Sequence, residues 1–245
     1  MNVRIKAISS LVEPYTQSKT PEEISIIKKS ANISEDVYEH ILSIIKPGMS
    51  ELDIAIEIDY QARLRGSEGV AFSTIVTCGE RGAIVHGQPS NKKIKKNDIV
   101  LMDFGAKVNG FCSDITRTFC VGKPKLEHKN IYNLVYNAMS SAINEARPGM
   151  HGHFLDEVAR KSIRDAGFGD NFKHSLGHGV GLECHEKPTI TFRLKNQIIP
   201  ENVILAIEPG VYFPGKFGIR VEDMVIVTKN KNIKLTDAPD KLISV

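Results

Sequence analysis

The tripeptide Pro-Gly-Met occurs twice, at Pro47-Gly48-Met49 and again at Pro148-Gly149-Met150, 101 residues further on. Each copy breaks a helical pattern, and each is followed by a second one. Thr20-Pro21-Glu22-Glu23 is a helix start, with Thr20 as N-cap, Pro21 at the first position and Glu23 closing a capping box. Ile24, Ile27, Ala31, Val37, Ile41 and Ile45 follow at helical spacing. Ser50 then caps a second helix that ends near Gly66. In the other half a helix from about Asn130 to Ala146 meets the second break, and its successor ends near Gly167. His86 and His185 stand 99 residues apart, each ahead of or behind a strand pair rich in carboxylates. A repeat this long is no solenoid. It predicts an α+β fold in which a helix-helix plus antiparallel-sheet unit is duplicated about a pseudo-two-fold axis, with a site between the halves.

Five residues mark that site: Asp103, Asp114, His178, Glu208 and Glu222. They lie in MDFGA (102–106), SDITRTF (113–119), GHGVGLECHE (177–186), AIEPG (206–210) and IRVED (219–223). Residues directly opposed in a hairpin have a constant sum of positions. For 103 and 114 the midpoint falls between 108 and 109, inside the turn Lys107-Val108-Asn109-Gly110. For 208 and 222 it falls on 215, inside Phe213-Pro214-Gly215-Lys216-Phe217. Two hairpins are therefore expected to oppose like charges, which destabilises a sheet unless something binds them. Four carboxylates and one imidazole suit two adjacent divalent cations, and such a pair activates a water and polarises a carbonyl. That is hydrolytic chemistry. The ligand types favour Mn²⁺ first, with Co²⁺, Fe²⁺ or Zn²⁺ also accommodated.

Composition narrows the partners. A net charge of +3 over 245 residues gives no case for nucleic acid. The basic run Lys92-Lys93-Ile94-Lys95-Lys96 is a solvated loop. No apolar stretch is long enough to span a bilayer, and Met1 to Lys6 lacks the apolar region of a secretory signal. Cys78, Cys112, Cys120 and Cys184 show no paired spacing and fit reduced thiols in a cytoplasm. Cys184 adjoins His185, where a modified thiol would block the site, although a small buried residue is the plainer role. His40, His128, His151 and His153 are expected to face solvent.

The five motifs in this order resemble the pita-bread metallopeptidases, the group that includes methionine aminopeptidases and the Xaa-Pro peptidases. The resemblance runs from about residue 20 to the C-terminus, so 1–19 is an N-terminal stub and 20–245 one catalytic domain. It implies that Asp103 is a terminal ligand of one metal, that Asp114 and Glu222 bridge both, and that His178 and Glu208 complete the ligand set of the second metal. Glu208 would also carry the proton from water to the leaving amine. His86 would hydrogen-bond the substrate, and His185 would contact the scissile amide. Several details look like the Xaa-Pro branch. Arg220 precedes Glu222, and Cys78 to Ala83 stands where methionine aminopeptidases place an asparagine-glutamate pair. His174 matches a residue of the proline-side pocket, and Arg220 either holds a substrate carboxylate bidentately or neutralises Glu222 and Asp223. The tail Leu235-Thr236 and Asp240 to Ile243 agrees. Xaa-Pro peptidases usually carry a further N-terminal domain; here only Ser10-Leu11-Val12-Glu13 resembles the end of its connection.

The expected function is thus a dinuclear exopeptidase releasing one N-terminal residue before proline, cytoplasmic, acting on peptides, with a homodimer allowed. Removal of initiator methionine is the alternative. A third reading, from another class, is an inactive pita-bread domain that binds peptides or proteins; such domains generally lose ligands, and all five are present here.

Overall fold

The computed structural model describes residues 11–245. The readings of Met1 to Lys6 and of Ser10 lie outside those residues. Helix α1 (Pro21–Ile44) begins as its sequence requires. Thr20 accepts the Glu23 N–H, and the Glu23 carboxylate accepts the Thr20 N–H at 2.8 Å. Ser50 and Asp53 form the same reciprocal cap on helix α2 (Glu51–Leu64). Between them Gly48 has φ +97°, a left-handed turn that a Cβ would strain. Helices α3 (Leu126–Glu145) and α4 (Gly152–Asp165) repeat the arrangement around Gly149 at φ +84°. Helix α3 starts at Leu126 rather than near Asn130. Its first turn has no apolar period to announce it, because Leu126 is 73% exposed. His128, expected in solvent, is buried edge-on against Phe217 with ring centroids 4.7 Å apart.

In the first half, β1 (Ile75–Cys78) pairs antiparallel with β2 (Asp98–Phe104). The chain turns through the short strands β3 (Lys107–Val108) and β4 (Phe111–Cys112) into β5 (Ile115–Val121), which runs antiparallel to β2. The second half holds β6 (Gly177–Gly179), β7 (Glu186–Ile190), β8 (Ile204–Ile207), β9 (Gly210–Phe213), β10 (Phe217–Arg220) and β11 (Asp223–Ile226). Two terminal pieces, β12 (Ile233–Lys234) and β13 (Ile243–Ser244), extend the sheets. The orders are β1-β2-β5-β13 and β7-β6-β8-β11-β12, so β1, β2, β5 correspond to β6, β8, β11. This is the duplicated α+β unit. Each half has its own apolar core. A third cluster, with Ile27 and Ala31 of α1 against Val180, Ile204, Ala206 and Met224, joins them. The basic loop 92–96 is less free than expected, since Ile94 is buried in the first core.

The two hairpins differ in how well counting described them. Ile207 faces Asp223 and Gly210 faces Arg220, so 208 stands opposite 222 as the midpoint requires. The ladder is open at that point, however. Glu208 N–H donates to Leu176 O at 2.8 Å, and Glu222 N–H donates to Thr116 O in the other sheet at 3.3 Å. In the first hairpin the expectation fails: Asp103 faces Thr116, not Asp114. Asn109 and Gly110 both take positive φ, 46° and 81°, so the turn centres between them, one residue later than the midpoint assumed. Asp114 becomes a diagonal neighbour of Asp103, still within side-chain reach.

Candidate metal centre

The open point in the second hairpin brings the two sheets together at their carboxylates. Donor atoms of Asp114, His178 and Glu222 all lie within 4.8 Å of one another, and all three residues are buried. His178 sits mid-strand in β6, between glycines that allow the neighbouring chains to close in. A Cβ on Gly177 would lie 1.9 Å from Ala206 O. His178 Nδ1 is 3.0 Å from Gly179 O. A carbonyl only accepts, so Nδ1 carries the proton and Nε2 presents a lone pair. Burial holds the ring's pKa down to about 4, which keeps it neutral. That lone pair faces Asp114 Oδ2 at 3.6 Å and Glu208 Oε1 at 3.7 Å.

Acceptors therefore point at acceptors, and the remaining oxygens are no better served. Asp103 Oδ1 and Glu222 Oε1 are buried without a hydrogen-bond partner. Burial, then the neighbouring carboxylates, pushes the Asp114 carboxyl well above its usual range; burial and Glu222 do the same to Glu208. Glu222 is pushed up to about 8 by burial and by Asp103. Orphaned buried acceptors of this kind cost free energy. Divalent cations would satisfy all of them at once, so this donor set fits a metal centre. Asp103, Asp114, His178, Glu208 and Glu222, the five residues expected from the sequence, are all gathered here.

The surrounding side chains hold the donors in place. Arg220 is 1% exposed and ion-paired to Asp103 through Nη2. Its Nε donates to Thr116 Oγ1 at 3.0 Å, and Thr116 Oγ1 in turn donates to Glu222 Oε2 at 2.8 Å. Its Nη1 donates to Tyr212 Oη at 2.8 Å and Val85 O at 3.1 Å. Tyr212 then donates to His174 Nε2 at 2.9 Å, because His174 Nδ1 is committed to Ser175 O. Arg220 thus faces inward, toward Asp103 and Tyr212, rather than standing free at the cleft. Arg117 was missed by sequence reasoning. It is buried behind the site, donating to the Glu222 carbonyl and pairing with Glu35 and Asp223. Only their place in SDITRTF hinted at Arg117 and Thr116, and Tyr212 carried no signal. Cys184 is buried, with its thiol donating to Asp114 Oδ2 at 3.1 Å; burial and Asp114 push its pKa upward, so it is a neutral thiol.

Above the donors lies a cavity of about 100 Å³ lined by His86, His185, Phe72 and Ile75 with the carboxylates. It opens into a cleft of about 290 Å³ that adds His174, Glu186 and Thr189. His185 stacks on His178 with ring centroids 4.1 Å apart. His86 and His185 line both spaces, which places all three non-ligand histidines expected from the sequence along one path to the donors.

A buried carboxylate-imidazole donor set between two like α+β halves, open to a cleft of about 290 Å³, is the arrangement of a metallohydrolase. Residues 25–229 match the model of metallopeptidase family M24, and the chain belongs to that family of peptide-bond hydrolases. It is 40% identical over 238 residues to the Xaa-Pro dipeptidase of Pyrococcus furiosus, covering 97% of this chain and 68% of that one. Two solved structures share its pita-bread fold. The X-Pro aminopeptidase of Thermotoga maritima superposes with a TM-score of 0.92 at 42% identity, over 96% of this chain and 65% of that one. The Xaa-Pro dipeptidase of Bacillus anthracis gives 0.94 at 42% identity, over 97% and 67%. The chain spans about two thirds of the length of these relatives. Their names are those of Xaa-Pro peptidases, which favours that branch over methionine aminopeptidase.

Proposed function

We propose that this chain is a dinuclear metal-dependent exopeptidase that hydrolyses the bond between an N-terminal residue and proline. The observation that carries it is the neutral His178 Nε2 aimed at two carboxylates, within a set of buried, unpartnered oxygens. Asp114 and Glu222 are assigned as bridging ligands, Asp103 as a terminal ligand of one site, and His178 and Glu208 as ligands of the other. Mn²⁺ is the metal assigned first. When bound, the cations supply Lewis-acid polarisation and a more acidic water. Glu208, the carboxylate donor that lines the cleft, holds and delivers the proton to the leaving amine. His86 and His185 hold the peptide on the two sides of the cavity. His174 faces the proline ring, and Arg220 contributes through Tyr212 and through Asp103.

Proline after the scissile bond gives a tertiary amide with no N–H, so a cleft lined with imidazoles loses no donor-acceptor pair by accepting it. The deciding experiment assays Xaa-Pro dipeptides, Xaa-Pro-Yaa peptides and Met-Ala peptides side by side against added Mn²⁺. Proline substrates should be cleaved fastest, with activity saturating at two metals per chain. Faster cleavage of Met-Ala peptides would move the chain to the other branch, and absence of tight metal uptake would leave an inactive peptide-binding domain.

A reducing cytoplasm is proposed as the compartment, on four buried, unpaired cysteines. Among the described residues, no helix is long and apolar enough to cross a membrane. A homodimer is also proposed, through α2. Leu52, Ile56, Tyr60 and Leu64 form an exposed stripe there, with exposed Asp53 and Arg63 beside it. The pattern is the same in both directions about Ile58, so antiparallel pairing of two copies sets Leu52 level with Leu64 and Asp53 level with Arg63. Sedimentation should then show a concentration-dependent dimer that Ile56→Asp abolishes; a monomer throughout the concentration range defeats it.

A further inference from the structure

The segment leading into α1 ends on a buried lysine. Lys19 is 3% exposed. Its Nζ donates to Thr16 O at 2.7 Å, to Gln17 O at 3.3 Å and to Glu186 Oε2 at 2.7 Å, which matches all three donors of an ammonium group. Its backbone is fixed as well: Lys19 N–H donates to Asn202 O at 2.9 Å, and Ser18 bridges to Val203.

Glu186 is the residue after His185 and lines the cleft. Its side chain folds back over its own loop. Oε1 accepts the Glu183 N–H at 3.2 Å, and both carboxylate oxygens lie 2.5 Å from where a Cβ on Gly181 would stand. The glycine at 181 is what leaves room for this carboxylate. The loop so folded carries two side chains that meet the metal centre: Cys184 on Asp114 and His185 stacked on His178. One ammonium group, 167 residues away in sequence, therefore closes the loop that aims His185.

We infer that Lys19 is a positioning residue of the active site: its latch on Glu186 fixes His185 above His178 and couples the polypeptide entering α1 to peptide turnover. The inference rests on the assignment of His185 to substrate contact. The Lys19–Glu186 pair is nearly dry, with side chains 2% and 11% exposed. Removing either partner leaves the other charge buried and uncompensated, so the loop must open to hydrate it.

The test uses Lys19→Met, Lys19→Arg and Glu186→Gln in the zinc-loaded protein, with the ¹H–¹³C signals of the His185 ring read at fixed pH. Lys19→Met and Glu186→Gln should each shift or broaden the His185 signals and lower kcat/KM on proline peptides on the order of tenfold, as loss of outer-sphere support does. Bound metal per chain should stay unchanged. Lys19→Arg should restore much of both. His185 signals unchanged in both neutralising variants would overturn the inference, and so would losses that follow metal content alone. Glu186→Gln keeps the side-chain shape, so it carries the test if Lys19→Met does not fold. Should the wild-type protein cleave no peptide, the functional assignment fails, while the His185 signals still decide the latch.

Discussion

The His178 lone pair faces the carboxylates of Asp114 and Glu208, with a Glu222 oxygen within 4.8 Å, an arrangement that a cation between them would relieve, and two residue-level predictions rest on it. Glu222→Ala removes the group that spans both sheets, so turnover should vanish and metal per chain should fall, as read by elemental analysis. Near-normal activity with two bound metals would remove Glu222 from the bridging role. Glu208→Gln should instead fold and keep metal but lower kcat by about 10²–10⁴, the usual contribution of a positioned proton carrier. An activity unchanged in Glu208→Gln would assign the proton to another group. His185, outside the five donors yet stacked on one of them, could be named from its motif. Thr116, Tyr212 and Arg117 could not, because an ordinary threonine, tyrosine or arginine gains its role only from what folding sets beside it.

At the level of elements, caps and close approaches separate stability from function. Ser50 accepts the Asp53 N–H at 3.1 Å and caps the start of α2. Ser50→Ala should cost about 1 kcal/mol in denaturant unfolding and leave kcat/KM unchanged. Gly177→Ala is the opposite case. The added Cβ would meet Ala206 O at 1.9 Å and push β6 from β8, carrying His178 with it. A loss of about 1–3 kcal/mol, the range for overpacking, should come with weaker metal binding. Unaltered metal affinity in Gly177→Ala would mean that β6 does not set the position of His178. These elements were largely legible: both helix pairs, their glycine-closed breaks and the 208/222 register followed from counting. The 103/114 register did not, because a turn's centre depends on which residues adopt left-handed φ, and here both Asn109 and Gly110 do.

For the whole molecule, the candidate donors come from both halves: Asp103 in β2 and Asp114 just before β5 in the first, His178 in β6 with Glu208 and Glu222 at the strand breaks in the second. Metal binding therefore ties the halves together and should stabilise the entire chain. At a hundredfold excess over Kd the gain is about 2.7 kcal/mol, or ~5–10 °C in Tm for a chain of this size. Chelation should reverse it, and a Tm insensitive to chelator would argue that the cations do not bridge the halves. The metal-free protein should also respond to pH. Glu222 has its pKa raised from 4.5 to about 8 in the folded state, so the native state binds the extra proton. Its contribution is present below about 4.5 and is lost as pH rises through about 8. Metal-free stability should fall across that window, most visibly against a Glu222→Gln control.

The sequence by itself determined the duplicated α+β plan, the helix boundaries set by caps and glycines, and which five carboxylate and imidazole residues to look for as candidate donors, because periodicity, turn chemistry and ligand type are local properties. Only the tertiary structure decided the diagonal placement of Asp103 and Asp114, the inward aim of Arg220 and the latch from Lys19 to Glu186. Each of these depends on groups distant in the chain meeting in a space with little water. There, every buried charge must find its partner across the fold rather than along the sequence.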